Sequence, residues 1–218
     1  MKFKNQHILI TAGPTQEAID PVRFISNHSS GKMGFELAKA FAGEGAQVSL
    51  IAGPNSLEKP DNNKINVIDV VSAEDMYEVT KELFPQCNIG IFAAAVADYT
   101  PKVKASQKIK KQTDNFSIEM IKTKDILKEA GNWKTKNQFT IGFALETQNA
   151  IDNAKGKLER KNCDMVVLNT LEDEKAGFGH NTNKVTLLYK NGQIQPLELK
   201  SKQEVAEDIC QYLFKFIQ

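Results

Sequence analysis

The residues best able to do chemistry lie in two stretches that lack the period of a helix or a strand. The first runs from Thr11 to Gly34, and its second half reads Arg23-Phe24-Ile25-Ser26-Asn27-His28-Ser29-Ser30-Gly31-Lys32-Met33-Gly34. Ser29 or Ser30 can cap the helix that follows. Gly31 and Gly34 in its first turn let a ligand or a strand come close. A helix start of this kind points free N–H groups at an anion. A plain capped helix after a long loop accounts for the same residues equally well. The stretch is not a GxGxxG fingerprint. Nor is it a P-loop, which would require glycine where Ser26 stands and a hydroxyl where Met33 stands.

The second stretch opens with Phe92-Ala93-Ala94-Ala95-Val96-Ala97-Asp98-Tyr99. Small residues at the end of a strand leave room for a flat ligand, and Asp98 lies just beyond them; an ordinary turn aspartate is the plainer reading. Farther on comes Lys108-Ile109-Lys110-Lys111. Such a cluster is usually a solvated face, yet on a loop at the ligand end of a sheet it can offset the charge of a polyphosphate. Lys157 and Lys161 are four apart, so on a helix their ammonium groups point the same way. Two exposed lysines are again the commoner explanation. Tyr77 and Lys81 reproduce the Tyr-x3-Lys spacing of short-chain dehydrogenases, but on a helix too early in the chain, and the match reads as coincidence.

Short apolar runs alternate with helical periods to position these residues. Strands are expected at His7–Thr11, Gln47–Ile51, Lys64–Val70, Ile89–Ala93, Phe139–Phe143 and Asp164–Leu168. Several are continuously apolar, as in strands covered on both faces. Helices are expected at about Gly31–Gly43, Ala73–Phe84 and Gln148–Lys161. Their inward stripes would be Leu37, Ala38 and Phe41; Met76, Val79 and Leu83; and Ile151, Ala154 and Leu158. Alternation of this kind implies α/β: a Rossmann-like three-layer fold with a mainly parallel sheet. Lys184–Lys190 and Gln193–Lys200 read as a C-terminal β-hairpin closed by a type I′ turn at Asn191-Gly192, and a helix at about Lys202–Phe216 ends the chain. Residues 1–218 are expected to form a single domain. Two connections, Ala12–Ser30 and Ala94 to about Asp114, exceed the length of a simple turn. Both follow strands, where open α/β sheets place ligands.

Composition narrows the partners. The net charge of the 218 residues is +1, which gives no general field for nucleic acid, and no apolar run is long enough to span a membrane. Arg23 and Arg160 are the only arginines. Cys87, Cys163 and Cys210 lack CxxC spacing and read as reduced thiols, two of them packed, in a cytoplasmic protein. His7, His28 and His180 are scattered and suggest no zinc site. A nicotinamide-dependent reductase would need a glycine-rich turn after the first strand and an acid closing the second. The chain offers Gly13 and then Ala52-Gly53-Pro54. A nucleotide-sensing or flavin-binding module without catalysis is a reading from a different class.

Six segments in order resemble the phosphopantothenate–cysteine ligase family. They are ITAGPT at Ile10–Thr15, DPVRFISNHSSGKMG at Asp20–Gly34, AAAVADY at Ala93–Tyr99, KIKK at Lys108–Lys111, GFALET at Gly142–Thr147 and KLERKNCDMVVLN at Lys157–Asn169. The resemblance implies a two-step ligation in coenzyme A biosynthesis. The carboxylate of 4′-phosphopantothenate displaces pyrophosphate from CTP, and the amine of cysteine then displaces CMP. It implies that Asn27 holds the carboxylate and the acyl-nucleotide, that Arg23 supports its loop, and that Lys108 offsets charge at the reacting phosphate. Ala93, Ala94, Asp98, Asp125, Ile126 and Phe143 would line the nucleotide site, with Lys157 and Lys161 on the triphosphate. Ser29, Ser30, Gly31 and Gly34, with Ala95, would face the pantothenate substrate. No resident metal ligands are implied, but Mg²⁺ would accompany CTP. The family is dimeric with shared sites, and its products pass to a phosphopantothenoylcysteine decarboxylase, fused or separate; the chain resembles the free-standing form or an excised domain. Lys124-Asp125-Ile126 departs from the family's Asn- or Thr-Pro-Asp-Ile, which alters the local turn.

Overall fold

A computed structural model describes residues 1–111, 115–170 and 180–217. In chain order the elements are β1 (His7–Ala12), β2 (Gln16–Ala18), β3 (Phe24–Ser26), α1 (Lys32–Gly43), β4 (Gln47–Ala52), β5 (Ile65–Asp69) and α2 (Ala73–Leu83). A 3₁₀ turn at Phe84–Gln86 precedes β6 (Ile89–Phe92), β7 (Tyr99–Pro101), β8 (Met120–Lys122), α3 (Ile126–Trp133), β9 (Phe139–Glu146) and α4 (Ala150–Arg160). The chain continues through β10 (Met165–Thr170), β11 (Thr182–Asn183), β12 (Val185–Tyr189), β13 (Ile194–Pro196), β14 (Lys200–Ser201) and α5 (Lys202–Ile217).

The main sheet has the order β13-β12-β10-β9-β6-β1-β4-β5. From β5 to β10 all neighbours pair in parallel, and β12 and β13 complete the edge antiparallel. Continuous apolar runs make this possible because alternate side chains serve opposite faces. Ile8, Ile10 and Ala12 of β1 join one core with Leu37 and Phe41 of α1 and Val205 and Ile209 of α5. Leu9 enters the other core with Met76, Leu127 and Leu158 from α2, α3 and α4. The result is the expected Rossmann-like three-layer arrangement. Beyond β1 the chain first winds outward to β4 and β5, then returns across β1 to β6. The direction of winding therefore reverses between β1 and β6.

Several local expectations need correction. The hairpin between β12 and β13 closes through a three-residue loop: Gly192 N–H donates to Tyr189 O at 2.9 Å, and only Gly192 has a positive φ. That is a type I turn with a left-handed glycine, not a type I′ turn. Ile151 is 36% exposed; α4 buries Ala154 and Leu158 alone. On α2 the fully inward positions include Tyr77 and Thr80, whereas Val79 and Leu83 pack only partly. Tyr77 rests against Trp133 with the Lys124 ammonium over its ring, a structural setting that leaves no dehydrogenase pair. The long connections are not featureless: β2 pairs with β3, and β7 with β8. Asp114, where the second was expected to end, lies outside the described residues. No helix among the described residues is long and apolar enough to cross a membrane.

Candidate active site

Where β1 and β6 leave the sheet, their chains stay laced together. Ala93 and Ala95 donate backbone N–H groups to Thr11 O and Gly13 O at 3.2 and 2.9 Å. The Thr11 and Thr15 hydroxyls accept from Ala94 and Ala97 N–H at 3.3 and 3.0 Å. Asn27 is fastened to the same seam: its Nδ2 donates to Ala95 O at 2.9 Å, while Ser26 Oγ donates to Thr15 O at 2.8 Å. Two loops far apart in sequence are thus one wall.

A cavity of about 820 Å³ opens beside this wall. Asn27, Ser29, Ser30 and Gly31 line one side, Ala93, Ala94, Ala95 and Asp98 the floor, and Asp125, Ile126, Phe143, Lys157 and Lys161 the opposite side. The volume is near the upper end for a small-molecule site. Six lysines (32, 122, 124, 157, 161 and 202) line it against two aspartates, Asp98 and Asp125. Lys124 is paired with Glu74 and Glu78 and Lys161 with Asp125, and the lining still carries more lysine than carboxylate, which suits an anion.

The expected start of α1 differs in detail. Gly31, not a serine, occupies the N-cap, in the left-handed region with φ 79°. A Cβ there would lie 2.9 Å from both the N and the Cα of Gly13, so only glycine lets the helix start touch the first loop. The serine hydroxyls instead accept from the loop itself, Ser29 Oγ from Gly31 N–H at 3.2 Å. Gly34 does not reach the cavity wall. It packs on β1, where a Cβ would come 2.5 Å from that of Ala12. Its small size serves helix–strand packing.

On the opposite side α3, which sequence periodicity did not reveal, begins at the cavity with Asp125 as its N-cap, accepting from Lys128 N–H at 3.0 Å. Asp125 also pairs with Lys161. Lys157 Nζ donates to Phe143 O, and burial lowers the pKa of this lysine. Thr123 ties the approach to α3 onto the floor: its hydroxyl donates to Ala97 O at 2.6 Å and its N–H to Asp98 O at 3.0 Å. Lys124 pairs with Glu74 and Glu78 at 2.8 and 3.4 Å. This bridges the turn to α2.

Arg23 and Lys108 stand apart from the cavity wall of their own chain. Arg23 binds Asp20 through Nε and Nη2 at 3.2 and 2.7 Å, and its Nη2 also donates to Ile109 O at 3.2 Å. The Asp20 side chain is fully buried and accepts further N–H bonds from Val22, Arg23 and Ile109. The Arg23 guanidinium and these donors hold its carboxyl well below the usual carboxylate range. Asp20 is therefore the post to which the Lys108 segment is tied. Sequence reasoning missed it, although its position two residues before Val22 is a common turn signal. Lys108 itself is exposed beside this post.

Nothing in the cavity offers a nucleophilic thiol. All three cysteines are buried, and burial pushes Cys87 and Cys210 up to about 12 and Cys163 to about 11. No cluster of three or more His, Cys, Asp or Glu side chains suited to a metal is found among the described residues. The lining holds two carboxylates, Asp98 and Asp125, of which Asp125 is already paired with Lys161.

Comparison with known proteins places this geometry. The DNA/pantothenate metabolism flavoprotein C-terminal domain family model matches residues 3–216. The chain is 52% identical over 203 residues to the coenzyme A biosynthesis bifunctional protein CoaBC of Haemophilus influenzae, covering 93% of this chain and 50% of that protein. It is 51% identical over 215 residues to a protein of an unknown prokaryotic organism named cysteine/cysteine sulfinic acid decarboxylase, covering 99% of this chain and 60% of that one. The chain thus spans roughly half the length of such relatives. The crystal structure of the C-terminal domain of a CoaBC protein matches it with TM-score 0.83 at 38% identity, covering 99% of this chain and 97% of that one. The chain belongs to the DNA/pantothenate metabolism flavoprotein C-terminal domain family.

Proposed function

We propose that the chain is a phosphopantothenate–cysteine ligase that forms an acyl-cytidylate from 4′-phosphopantothenate and CTP. The observation that carries this reading is the shared cavity. Asn27 on one wall and the nucleotide-side residues Ala93, Asp98, Asp125, Phe143, Lys157 and Lys161 face one space. The likeness over its whole length to the C-terminal domain of a coenzyme A biosynthesis protein supports the same reading.

In the first step a carboxylate oxygen of phosphopantothenate bonds to the α-phosphorus of CTP, and the bond to the β-phosphate breaks, releasing pyrophosphate. In the second the cysteine nitrogen bonds to the acyl carbon. CMP departs with the bond electrons, and the two protons lost as the ammonium nitrogen becomes an amide pass to CMP or solvent. A carboxylate is a poor acyl donor and a mixed anhydride a good one, so the protein's task is alignment and charge compensation. Asn27, held by Ala95 O, would orient the carboxylate with its remaining amide hydrogen. Lys157 and Lys161 would lie along the triphosphate, and Mg²⁺ bound with the nucleotide would supply charge neutralisation between its phosphates.

Lys108 finds its place through a second copy. The paired ribbons β2–β3 and β7–β8 expose Val22, Phe24, Tyr99 and Ile121, each about half accessible, and such apolar faces favour association. A homodimer joined there would carry each Lys108 segment, fixed by Asp20 and Arg23, toward the neighbouring cavity. The product would be consumed by a phosphopantothenoylcysteine decarboxylase. Incubation with phosphopantothenate, cysteine, Mg²⁺ and either CTP or ATP tests the reading. Pyrophosphate and CMP should form only when both substrates are present, with CTP preferred. NAD(P)H turnover, or carbon dioxide release from cysteine without nucleotide consumption, would end it.

A further inference from the structure

Both walls of the cavity are fastened to the same short piece of α2, and the mechanism above uses none of the residues that fasten them. On the Asn27 side, Ala73 N–H at the start of α2 donates to the buried carboxylate of Glu17 in β2 at 2.9 Å. Gln16 N–H donates to Val71 O, also at 2.9 Å. An anionic side chain on the free N–H of a helix start satisfies an unpaired donor and complements the helix dipole. Gln16 pairs in register with Ser26, the residue before Asn27. The ribbon that presents Asn27 is therefore held at its root by α2.

On the opposite side the hold is Lys124. Its ammonium lies 2.8 Å from Glu74 and 3.4 Å from Glu78, one turn apart on α2, and 4.1 Å from the centre of the Tyr77 ring. The residues on either side of it belong to the cavity edge: Thr123 donates to Ala97 O and Asp98 O, and Asp125 caps α3. A single exposed ion pair contributes little. Here one ammonium is shared by two carboxylates and an aromatic face on one rigid helix, so displacing it gives up all three contacts at once. Tyr77 in turn rests against Trp133 at the far end of α3. Helix α3 is thereby referred to α2 at both ends.

We infer that Lys124 is a positioning residue: clasped by Glu74, Glu78 and Tyr77, it fixes the Thr123–Ile126 edge of the cavity to the helix start that also holds the Asn27 ribbon. The separation of the two walls is then set by α2, although no described residue of α2 lines the cavity. An ammonium on a cavity wall has one other obvious use, direct contact with a bound phosphate. The two roles make opposite demands on Glu74 and Glu78. A positioning lysine needs them, whereas a phosphate-binding lysine is held back by them. That this edge receives a nucleotide rests on the ligase reading; the clasp rests on the geometry alone.

Amide hydrogen exchange of the ligand-free chain and calorimetric binding of CTP together separate the two roles. The chains compared are wild type, Lys124→Met, Lys124→Arg, Glu74→Gln combined with Glu78→Gln, and the triple variant with Lys124→Met. All three side chains are exposed, so every variant should fold and melt within a few degrees of wild type. Lys124→Met and the glutamine pair should each speed exchange at residues 123–129 and weaken CTP binding about 3- to 10-fold. The triple variant should lose no more than either, because one interaction is removed from both sides, and arginine should restore both readouts. Unchanged exchange in Lys124→Met, unaltered CTP affinity in all variants, or additive losses in the triple variant would overturn the positioning role. So would weaker CTP binding in Lys124→Met beside equal or tighter binding in the glutamine pair, the signature of direct contact. Faster exchange in the variants of a chain whose wild type binds no CTP would count against the nucleotide assignment and leave the clasp standing.

Discussion

Replacing Asn27 by aspartate changes one amide to one carboxylate at the seam between the two loops. The wild-type Nδ2 donates to Ala95 O at 2.9 Å, and an aspartate in the same place would set an acceptor against that carbonyl. Losing the hydrogen bond costs about 1 kcal/mol. The new charge would also face the incoming carboxylate. At about 4 Å that repulsion is worth roughly 1 kcal/mol in water and about 4 kcal/mol at an effective dielectric of 20. Asn27 is exposed in the single chain, so the true figure lies between these limits. The sum, about 2–5 kcal/mol, corresponds to roughly 30- to 5,000-fold in kcat/KM for phosphopantothenate. Asn27→Ala, which removes the donor without adding charge, should lose only about 5- to 10-fold. Pyrophosphate release would be followed for both variants, with melting temperature as a control that should stay within a few degrees because the side chain is not in the core. Equal losses for alanine and aspartate would refute the electrostatic reasoning, and wild-type turnover in both would remove Asn27 from the mechanism.

Lys108→Gln should slow formation of the acyl-nucleotide in single-turnover experiments, and unaltered kinetics would reduce that lysine to a bystander. Mixed dimers of Asn27→Asp and Lys108→Gln chains should regain about a quarter of wild-type activity if Lys108 acts on the neighbouring cavity, since half the dimers would hold one intact site. No recovery would place both residues in the same chain's site. Asp20→Asn should free the 105–111 segment, seen as faster tryptic cleavage at Lys108, Lys110 and Lys111; unchanged cleavage would mean the tether is dispensable. Because the Asp20 carboxyl is held below its ordinary range when folded, its contribution is present above the unfolded carboxylate pKa near ~3.9. That contribution disappears only as pH falls through the lowered folded value, so wild-type cleavage at these lysines should not change between pH 5 and 8. For Lys157, burial lowers the folded pKa, so the unfolded chain binds the extra proton and stability rises as pH climbs toward the unfolded value near ~10.4. Lys157→Met should accordingly keep or raise the melting temperature while weakening CTP binding about tenfold or more; a large drop in melting temperature would contradict this.

Long apolar runs and strong helical periods made β1, β4, β6, β9, β10, α1, α2, α4 and α5 legible, because burial on two faces leaves a pattern within each segment. The ribbons β2–β3 and β7–β8 left none, since strands of three residues are too short for a period. Helix α3 has only two turns, so its apolar face, Ile126, Leu127 and Ala130, is too short to repeat as a helical period. Its cap was the available signal: Asp125 three residues before Lys128 and ahead of Ile126 and Leu127. The cavity residues from Asn27 to Lys161 were reached through their motifs. The supports of that cavity were hidden for a different reason. Asp20 acts on Ile109 across 89 positions, and Lys32 meets Asn181 across 149, distances at which no local pattern survives. Gly34 shows that a glycine next to a ligand loop has a second reason to be small, the close approach of Ala12 of β1.

Oxygen isotope transfer addresses the chemistry most directly. With 4′-phosphopantothenate labelled by ¹⁸O in its carboxylate, attack on the α-phosphorus and later expulsion of CMP must leave one labelled oxygen on the CMP. Mass spectrometry of the nucleotide product should show that single label, with none in pyrophosphate. Unlabelled CMP, or label in pyrophosphate or in free phosphate, would show that the acid is activated by some other route and would contradict the assignment of this cavity.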